Sequence, residues 1–533
     1  MYPKKIMPDG LFAERKTVDS ILRTERVRRK RTGYIDKDTS DTPPKAASLR
    51  FLFFLCLALP LGGCGDKPTK PVKPLSHVQP VKHPDEHKLS HLDRVKQAGV
   101  LKIVTRYSPS SYYEGPGGFA GLEYDLAQLF AKRLGVKARF IVPNSFRQMT
   151  KLAEAQQADF AAAGLMVTEA RKRKMRFAPA YRRVTEQVIY RGDQPRPRYV
   201  NDLSGGILEV GAGASHTETL KSLRKRYPDL SWNLNFEQDA EGLLFLVSEG
   251  LLDYTIVQSD QMLRMRRFYP NLQVAFDVGK PRDLAWAFAL GEDSSLYDEA
   301  VSFFDEIKQN KLLDQLIDRY YGHAASYDAA LDSSLRVHYR QRLPKYKKLF
   351  QRAGKEHGID WRLLAAQAYQ ESHWEGRAIS ADGVQGMMQL TGVTARELKV
   401  NDRFDPGQSI RGGASYLKET LANIPEHIQE PDRTWLALAA YNVGYGHVED
   451  ARRLVRERGG DPDKWIDVKG VLPLLGKKSW YRKTRHGRAR GALAVQYVNS
   501  IRRFYDLLVW LSEEEENRKL AMGPGKVKAS GAS

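Results

Sequence analysis

The hydrophobic period of this chain changes once, and that change limits what it can fold into more than any other feature. Between Val100 and Leu290 apolar residues fall in short runs separated by amphipathic stretches, whereas from about Leu343 the spacing is helical throughout. The runs Leu101–Thr105, Arg139–Val142, Phe160–Ala163, Gln187–Tyr190, Ile207–Val210, Tyr254–Val257 and Ala285–Leu290 read as strands, and Leu122 to Leu134 as a helix closed by Gly135. Strands alternating with helices predict an α/β unit, here over residues 91–328 and long enough for two lobes. The remainder predicts a separate, mainly α domain over 329–515, followed by a polar tail over 516–533. A chain of 533 residues has room for about three domains or two large ones, so the division agrees with its length.

The first 90 residues belong to neither pattern. A polar, Arg-rich leader precedes one apolar run from Phe51 to Leu61, which at about 1.5 Å per residue spans roughly half of a bilayer core. That is too short to cross and the right length for the apolar region of a signal peptide. The run ends in Leu61-Gly62-Gly63-Cys64, which resembles a bacterial lipobox. The resemblance implies that residues 1–63 are removed, that Cys64 carries the lipid, and that residues 64–90, rich in Pro, Lys and His, form a tether. With Gly65 rather than Asp after the cysteine, the expected address is the periplasmic face of the outer membrane. Cys56 and Cys64 are the only cysteines, which excludes a disulfide framework and a cysteine zinc site in the folded part.

Within the α/β stretch, Gly99-Val-Leu-Lys-Ile-Val, Gly121-Leu-Glu-Tyr-Asp-Leu-Ala, Ala163-Gly-Leu-Met-Val-Thr-Glu-Ala-Arg171 and Leu252-Asp-Tyr-Thr-Ile occur in an order that resembles extracellular solute-binding proteins of the polar amino-acid type. The resemblance implies a two-lobed periplasmic-binding-protein-like fold in which Arg171, framed by Thr168, clamps a ligand carboxylate through a guanidinium fork. The bland alternative is a solvated charge, since Lys172, Arg173 and Lys174 follow it. Where that family commonly places an acid for the ligand's amino group this chain has Gln258, with Asp260 two residues late. A stem peptide or muropeptide, with a free carboxylate and an acylated amine, therefore fits better than a free amino acid.

The helical stretch carries the chemistry. Leu364, Ala368 and Glu371 share one face of a helix beginning near Trp361, and a carboxylate at the end of an apolar stripe is expected to resist ionisation. That is the property a general acid needs. Glu371-Ser-His-Trp, Gly383-Val-Gln-Gly-Met-Met-Gln389-Leu, Ala439-Ala-Tyr-Asn-Val-Gly444 and Gln496-Tyr497-Val follow one another in an order that resembles the soluble-type lytic transglycosylase domain, a goose-lysozyme-like helical fold that cleaves peptidoglycan. By that resemblance Glu371 is the catalytic acid, and Ser372 supports the reacting sugar or the Glu371 carboxyl. Gln389 and the Met387–Met388 backbone line the groove, Tyr441 and Asn442 hold the carboxyl and the substrate, and Tyr497 closes the site. The lesser alternative makes Tyr441 and Tyr497 core aromatics with satisfied hydroxyls, and Asn442-Val-Gly444 a helix stop. A binding-protein-like domain joined to such a domain behind a lipobox resembles the membrane-bound lytic murein transglycosylase F family.

The motifs around Glu371 supply hydroxyls and amides but no second acid, whereas ordinary glycosidases flank the bond with two carboxylates. One carboxyl suffices if the substrate provides the nucleophile. The expected reaction is cleavage of the β-1,4 bond between N-acetylmuramic acid and N-acetylglucosamine with closure of a 1,6-anhydromuramic end, a carbon–oxygen lyase reaction on a polysaccharide. The alternatives are a solute- or muropeptide-binding lipoprotein that holds glycan without cutting it, and a hydrolytic goose-type lysozyme. Lys and Arg total 85 against 64 Asp and Glu, a formal charge of +21, which invites an acidic polymer. The basic segment from Lys477 to Arg490, with Trp480 and Tyr481 in it, points for an exported protein to peptidoglycan and its peptide stems rather than nucleic acid. Scattered histidines without His-Glu-x-x-His, and no glycine-rich phosphate loop, lead to the expectation of no metal and no cofactor.

Overall fold

Two glycines bracket the first long helix. Gly121 (φ 133°) starts Leu122–Leu134 and Gly135 (φ 72°) ends it in the left-handed region, with Glu123 and Asp125 in its first turn and Lys132 and Arg133 in its last, each sign matched to the helix dipole. The computed structural model describes residues 89–522 apart from 116–117, 144, 325–328 and 381. The Phe51–Leu61 run, Cys64 and most of the tether lie outside the described residues.

The α/β unit has two sheets, one per lobe. The first orders its strands Lys137–Ile141, Val100–Val104, Phe160–Ala161, Ala287–Ala289 and Met175–Phe177. The first three run parallel, and Ala287–Ala289 is antiparallel to both its neighbours. The second orders Leu272–Leu284, Arg182–Arg191, Tyr254–Gln258, Leu208–Gly211 and Asn233–Asn235. The chain passes between lobes twice, and the two passages are bonded together: Ala178 N–H donates to Trp286 O (3.0 Å) and Tyr181 N–H to Leu284 O (3.1 Å). The expected strands are present, shortened or lengthened by a few residues. The longest, Leu272–Leu284, is not among the expected strands; it contains Asp277, Lys280, Pro281 and Arg282, and register shifts after Val274 and after Val278 accommodate them against Arg182–Arg191.

From 329 to 522 the structure is helical, with two helices that matter most. Trp361–Ser372 is buried from Leu363 through Tyr369, and Asp360 caps it by accepting from Arg362 N–H. Gly491–Met522 is the long C-terminal helix and packs along it. The polar tail expected from 516 is still helical to Met522, supported by Arg518–Glu514 (2.9 Å) and Lys519–Glu515 (2.5 Å) pairs at helical spacing. One apolar cluster runs from the second lobe (Leu243, Met262, Met265, Phe268) into the helical domain (Leu364, Trp374, Leu507, Leu511), so the two domains share a core. Among the described residues no helix is long and apolar enough to cross a membrane.

Candidate active site

The helix Trp361–Ser372 carries the candidate acid at its end. Glu371 lies in its last turn, and the chain then leaves through His373 (φ 51°) and Trp374 (φ 59°), two consecutive left-handed residues without glycine. Trp374 is buried and its indole N–H donates to Ala365 O (2.8 Å), which ties that exit back onto the helix. Glu371 itself is half-buried. Burial pushes its carboxyl up to about 7, against a smaller lowering from the hydroxyl of Tyr497, which donates to Glu371 Oε1 at 2.6 Å.

The direction of that bond is fixed from behind. Gln367 Nε2 donates to the Tyr497 oxygen (3.2 Å), so the hydroxyl hydrogen is left for Glu371. With Oε1 accepting, the proton of the neutral acid falls to Oε2. Gln367 is fully buried one turn before Glu371 on the same helix face. Sequence reasoning passed over it, although a glutamine four residues before Glu371, within the buried run Leu363–Tyr369, was the available signal.

The other expected residues surround this relay in different ways. Ser372 is tied to the backbone. Its buried hydroxyl lies 2.8 Å from Met387 O and 3.1 Å from Ala368 O, joining the acid helix to the Gly383–Leu390 turn. Met388 is buried; its N–H donates to Ser409 Oγ (3.2 Å) and its carbonyl accepts from Tyr441 Oη (3.3 Å). Gln389 adopts φ 47°, and its amide nitrogen holds Ala378 O (3.1 Å) and Gly386 O (2.9 Å), so that side chain braces the turn. Of the two tyrosines, Tyr497 is the one whose hydroxyl bonds the carboxyl. Tyr441 lies close enough for the Glu371 charge, second to burial, to push its hydroxyl well above the usual phenol range. Asn442 follows it, exposed at the end of the helix Asp432–Val443. Glu375 and Asp382, the acids nearest in sequence, are exposed and paired with Arg342 (2.9 Å) and, more loosely, Arg490 (4.0 Å). Among the described residues no cluster of His, Cys, Asp and Glu is arranged to hold a metal ion.

In the two-lobed unit, Arg171 is not the solvated charge of the bland reading. It is buried, with Nη1 donating to Met166 O (2.8 Å) and Nη2 to Gly213 O (3.2 Å) across the lobes. Burial lowers its guanidinium to about 10. Thr168 bridges the lobes too, donating to Glu218 Oε1 (3.0 Å), and Gln258 Nε2 donates to Gly164 O (3.3 Å). Asp260, two residues late in sequence, nevertheless reaches the cleft beside Ser110, Glu123, Tyr181, Arg182 and Tyr321.

Fold and site together define a binding-protein-like domain joined to a helical domain of the transglycosylase type. Residues 101–323 match the bacterial extracellular solute-binding proteins, family 3, and residues 348–463 match the transglycosylase SLT domain, a stretch that stops short of Tyr497. The chain is 43% identical over 473 residues to a membrane-bound lytic murein transglycosylase F of Stutzerimonas stutzeri (strain A1501), covering 88% of this chain and 93% of that protein. It is 45% identical over 429 residues to one of Saccharophagus degradans, covering 80% and 85%. The chain belongs to the membrane-bound lytic murein transglycosylase F family.

Proposed function

We propose that this protein is a peptidoglycan lytic transglycosylase, with Glu371 as both acid and base. The observation that carries the reading is a half-buried carboxyl raised to about 7 and oriented by the Tyr497 hydroxyl, itself held by the Gln367 amide. Glu371 Oε2 donates its proton to the glycosidic oxygen leaving C1 of N-acetylmuramic acid, while the substrate's N-acetyl oxygen stabilises the developing cation. The resulting carboxylate takes the proton of the C6 hydroxyl as that oxygen bonds to C1, closing the 1,6-anhydro ring without water. Glu371→Gln keeps the shape and loses the exchangeable proton, so cleavage of murein sacculi falls by at least about 10²–10⁴-fold with the helical circular dichroism intact. Digestion by the unaltered enzyme in ¹⁸O-water yields unlabelled anhydromuramic ends; a labelled reducing end would make it a hydrolase.

The two-lobed domain, on this reading, is non-catalytic and takes a muropeptide or stem peptide, whose carboxylate displaces the carbonyls now on Arg171. Calorimetric titration with stem peptide checks it: Arg171→Ala should weaken binding by more than about tenfold, from lost charge-assisted bonds. Lipidation at Cys64 and anchoring to the outer membrane complete the proposal, supported by the Leu-Gly-Gly-Cys sequence. Palmitate incorporation that persists in Cys64→Ala would refute that part.

A further inference from the structure

The segment from Lys477 to Arg490 contains seven cations (Lys477, Lys478, Arg482, Lys483, Arg485, Arg488 and Arg490) and no acid. It is not a loose loop. Buried Asp450 accepts the backbone N–H groups of Arg485 (2.9 Å) and His486 (2.8 Å), and Arg453 Nη2 donates to Lys483 O (2.5 Å). Thr484 Oγ1 turns back onto Tyr481 O (2.8 Å) and lies 3.3 Å from Gly487 O. These bonds use the backbone and leave Arg482, Arg485 and Arg488 exposed; none of the ion pairs recorded among the described residues involves them.

Its place in the fold is what gives the charge meaning. The His486 ring lies over Gly446, whose added Cβ would meet it at 2.6 Å, so the segment rests on the start of Tyr445–Glu457, just beyond Tyr441 and Asn442. Arg490 approaches Asp382 (4.0 Å) in the loop between Glu371 and Gln389, and the next residue begins the helix that carries Tyr497. The cations therefore line a rim that touches three of the segments building the active site. Like charges held together at a site rim repel one another, and an anionic ligand relieves that repulsion.

We infer that this rim binds the carboxylates of the peptide stems on a glycan strand lying in the groove, an inference that rests on the peptidoglycan reading above. On a stem-bearing strand the sugars are neutral, because the lactyl carboxyl is taken up in the amide bond to the stem, whereas each stem carries several free carboxylates at the muramic residue next to the scissile bond; a bare strand keeps only the single lactyl carboxylate. Guanidinium forks suit such groups. The rim thereby selects strands whose stems are intact and ionised over bare or amidated ones.

The test uses the full chain carrying Glu371→Gln, so that bound strands are not cut. Co-sedimentation is measured against intact sacculi and against sacculi whose stem carboxylates have been amidated with carbodiimide and methylamine, at low and at raised salt. Expected are tighter, salt-sensitive binding to intact sacculi and a half-saturation concentration about 3–150-fold higher after amidation, the range for about three exposed ion pairs. Adding Arg482→Gln, Arg485→Gln and Arg488→Gln should produce the same weakening on intact sacculi and little on amidated ones. Arg488→Glu alone should move in the same direction if the multiple variant folds poorly. Equal binding to both preparations by the protein with native arginines, or equal weakening of both by the substitutions, would overturn the inference. So would a loss confined to phosphatidylglycerol vesicles, which would assign the rim to a membrane. Failure of the peptidoglycan reading shows separately, as absence of anhydromuramic ends from the active enzyme.

Discussion

At the scale of single residues, the acid's character follows from one competition. Removal from water favours the neutral carboxyl, the Tyr497 hydroxyl favours the anion, and the first prevails, leaving Glu371 near 7. The protonated form that the proposed first step needs is therefore abundant below about pH 7 and declines tenfold per unit above it. The rate profile should carry that limb on its alkaline side. Tyr497→Phe removes the influence that opposes burial, so the limb should move upward by about one unit, the size of a lost charge-assisted hydrogen bond. The rate at pH 6 should fall as well, because the carboxylate of the second step loses its fixed orientation. An unmoved limb would mean that the hydroxyl does not bear on the acid. The burial of the Glu371 carboxyl was legible in sequence because a charge on an apolar stripe is conspicuous. Which tyrosine bonds the carboxyl was not legible, since it depends on which helix brings which hydroxyl within 2.6 Å.

At the scale of elements, the turn Gly383–Leu390 shows why a glycine-containing motif stands beside the acid. Gly386 adopts φ 84°, and a Cβ there would lie 1.8 Å from Arg403 O, backbone against backbone. The turn then places Met387 O on Ser372 and Met388 O on Tyr441, so its shape registers three segments against one another. Gly386→Ala should cost stability by about 1–3 kcal/mol, from strain that no side-chain rotation relieves. It should also lower kcat more than it raises KM, because the displaced parts surround the acid; thermal melts and steady-state kinetics on sacculi check both. The motif was visible in sequence, but not its reason, which lies with an oxygen seventeen residues away. Strand Leu272–Leu284 was missed on similar grounds: its partner supplies the regularity that its own polar sequence lacks.

At the scale of the whole molecule, the C-terminal helix belongs to both domains. Tyr497 faces the acid, and nine residues on, about 13.5 Å along the axis, Asp506 pairs with Arg267 (2.8 Å) and His323 (2.7 Å) of the binding-protein-like unit. Arg502 Nη2 holds Asp318 O (2.9 Å), and Trp510 stacks on Phe268 with ring centroids 5.2 Å apart. None of this was legible from sequence, because an interface between domains is a property of neither pattern alone. Burial alone would raise the Asp506 carboxyl, but Arg267 and His323 hold it far below the usual carboxylate range. A depressed acid stabilises the fold above its unfolded pKa of about 3.9, and that contribution is lost as pH falls toward the folded value. Asp506→Ala removes it at every pH and strands the buried Arg267 guanidinium, at a cost of about 3–5 kcal/mol. At neutral pH calorimetry should therefore show a lower or divided transition, and the deficit relative to the unaltered protein should shrink below about pH 4. Because the same helix fixes Tyr497, the variant should also disturb the alkaline limb set by Glu371. A variant that melts lower but keeps that limb would show that docking and acid are mechanically separate, with the shared helix serving only to hold the two domains together.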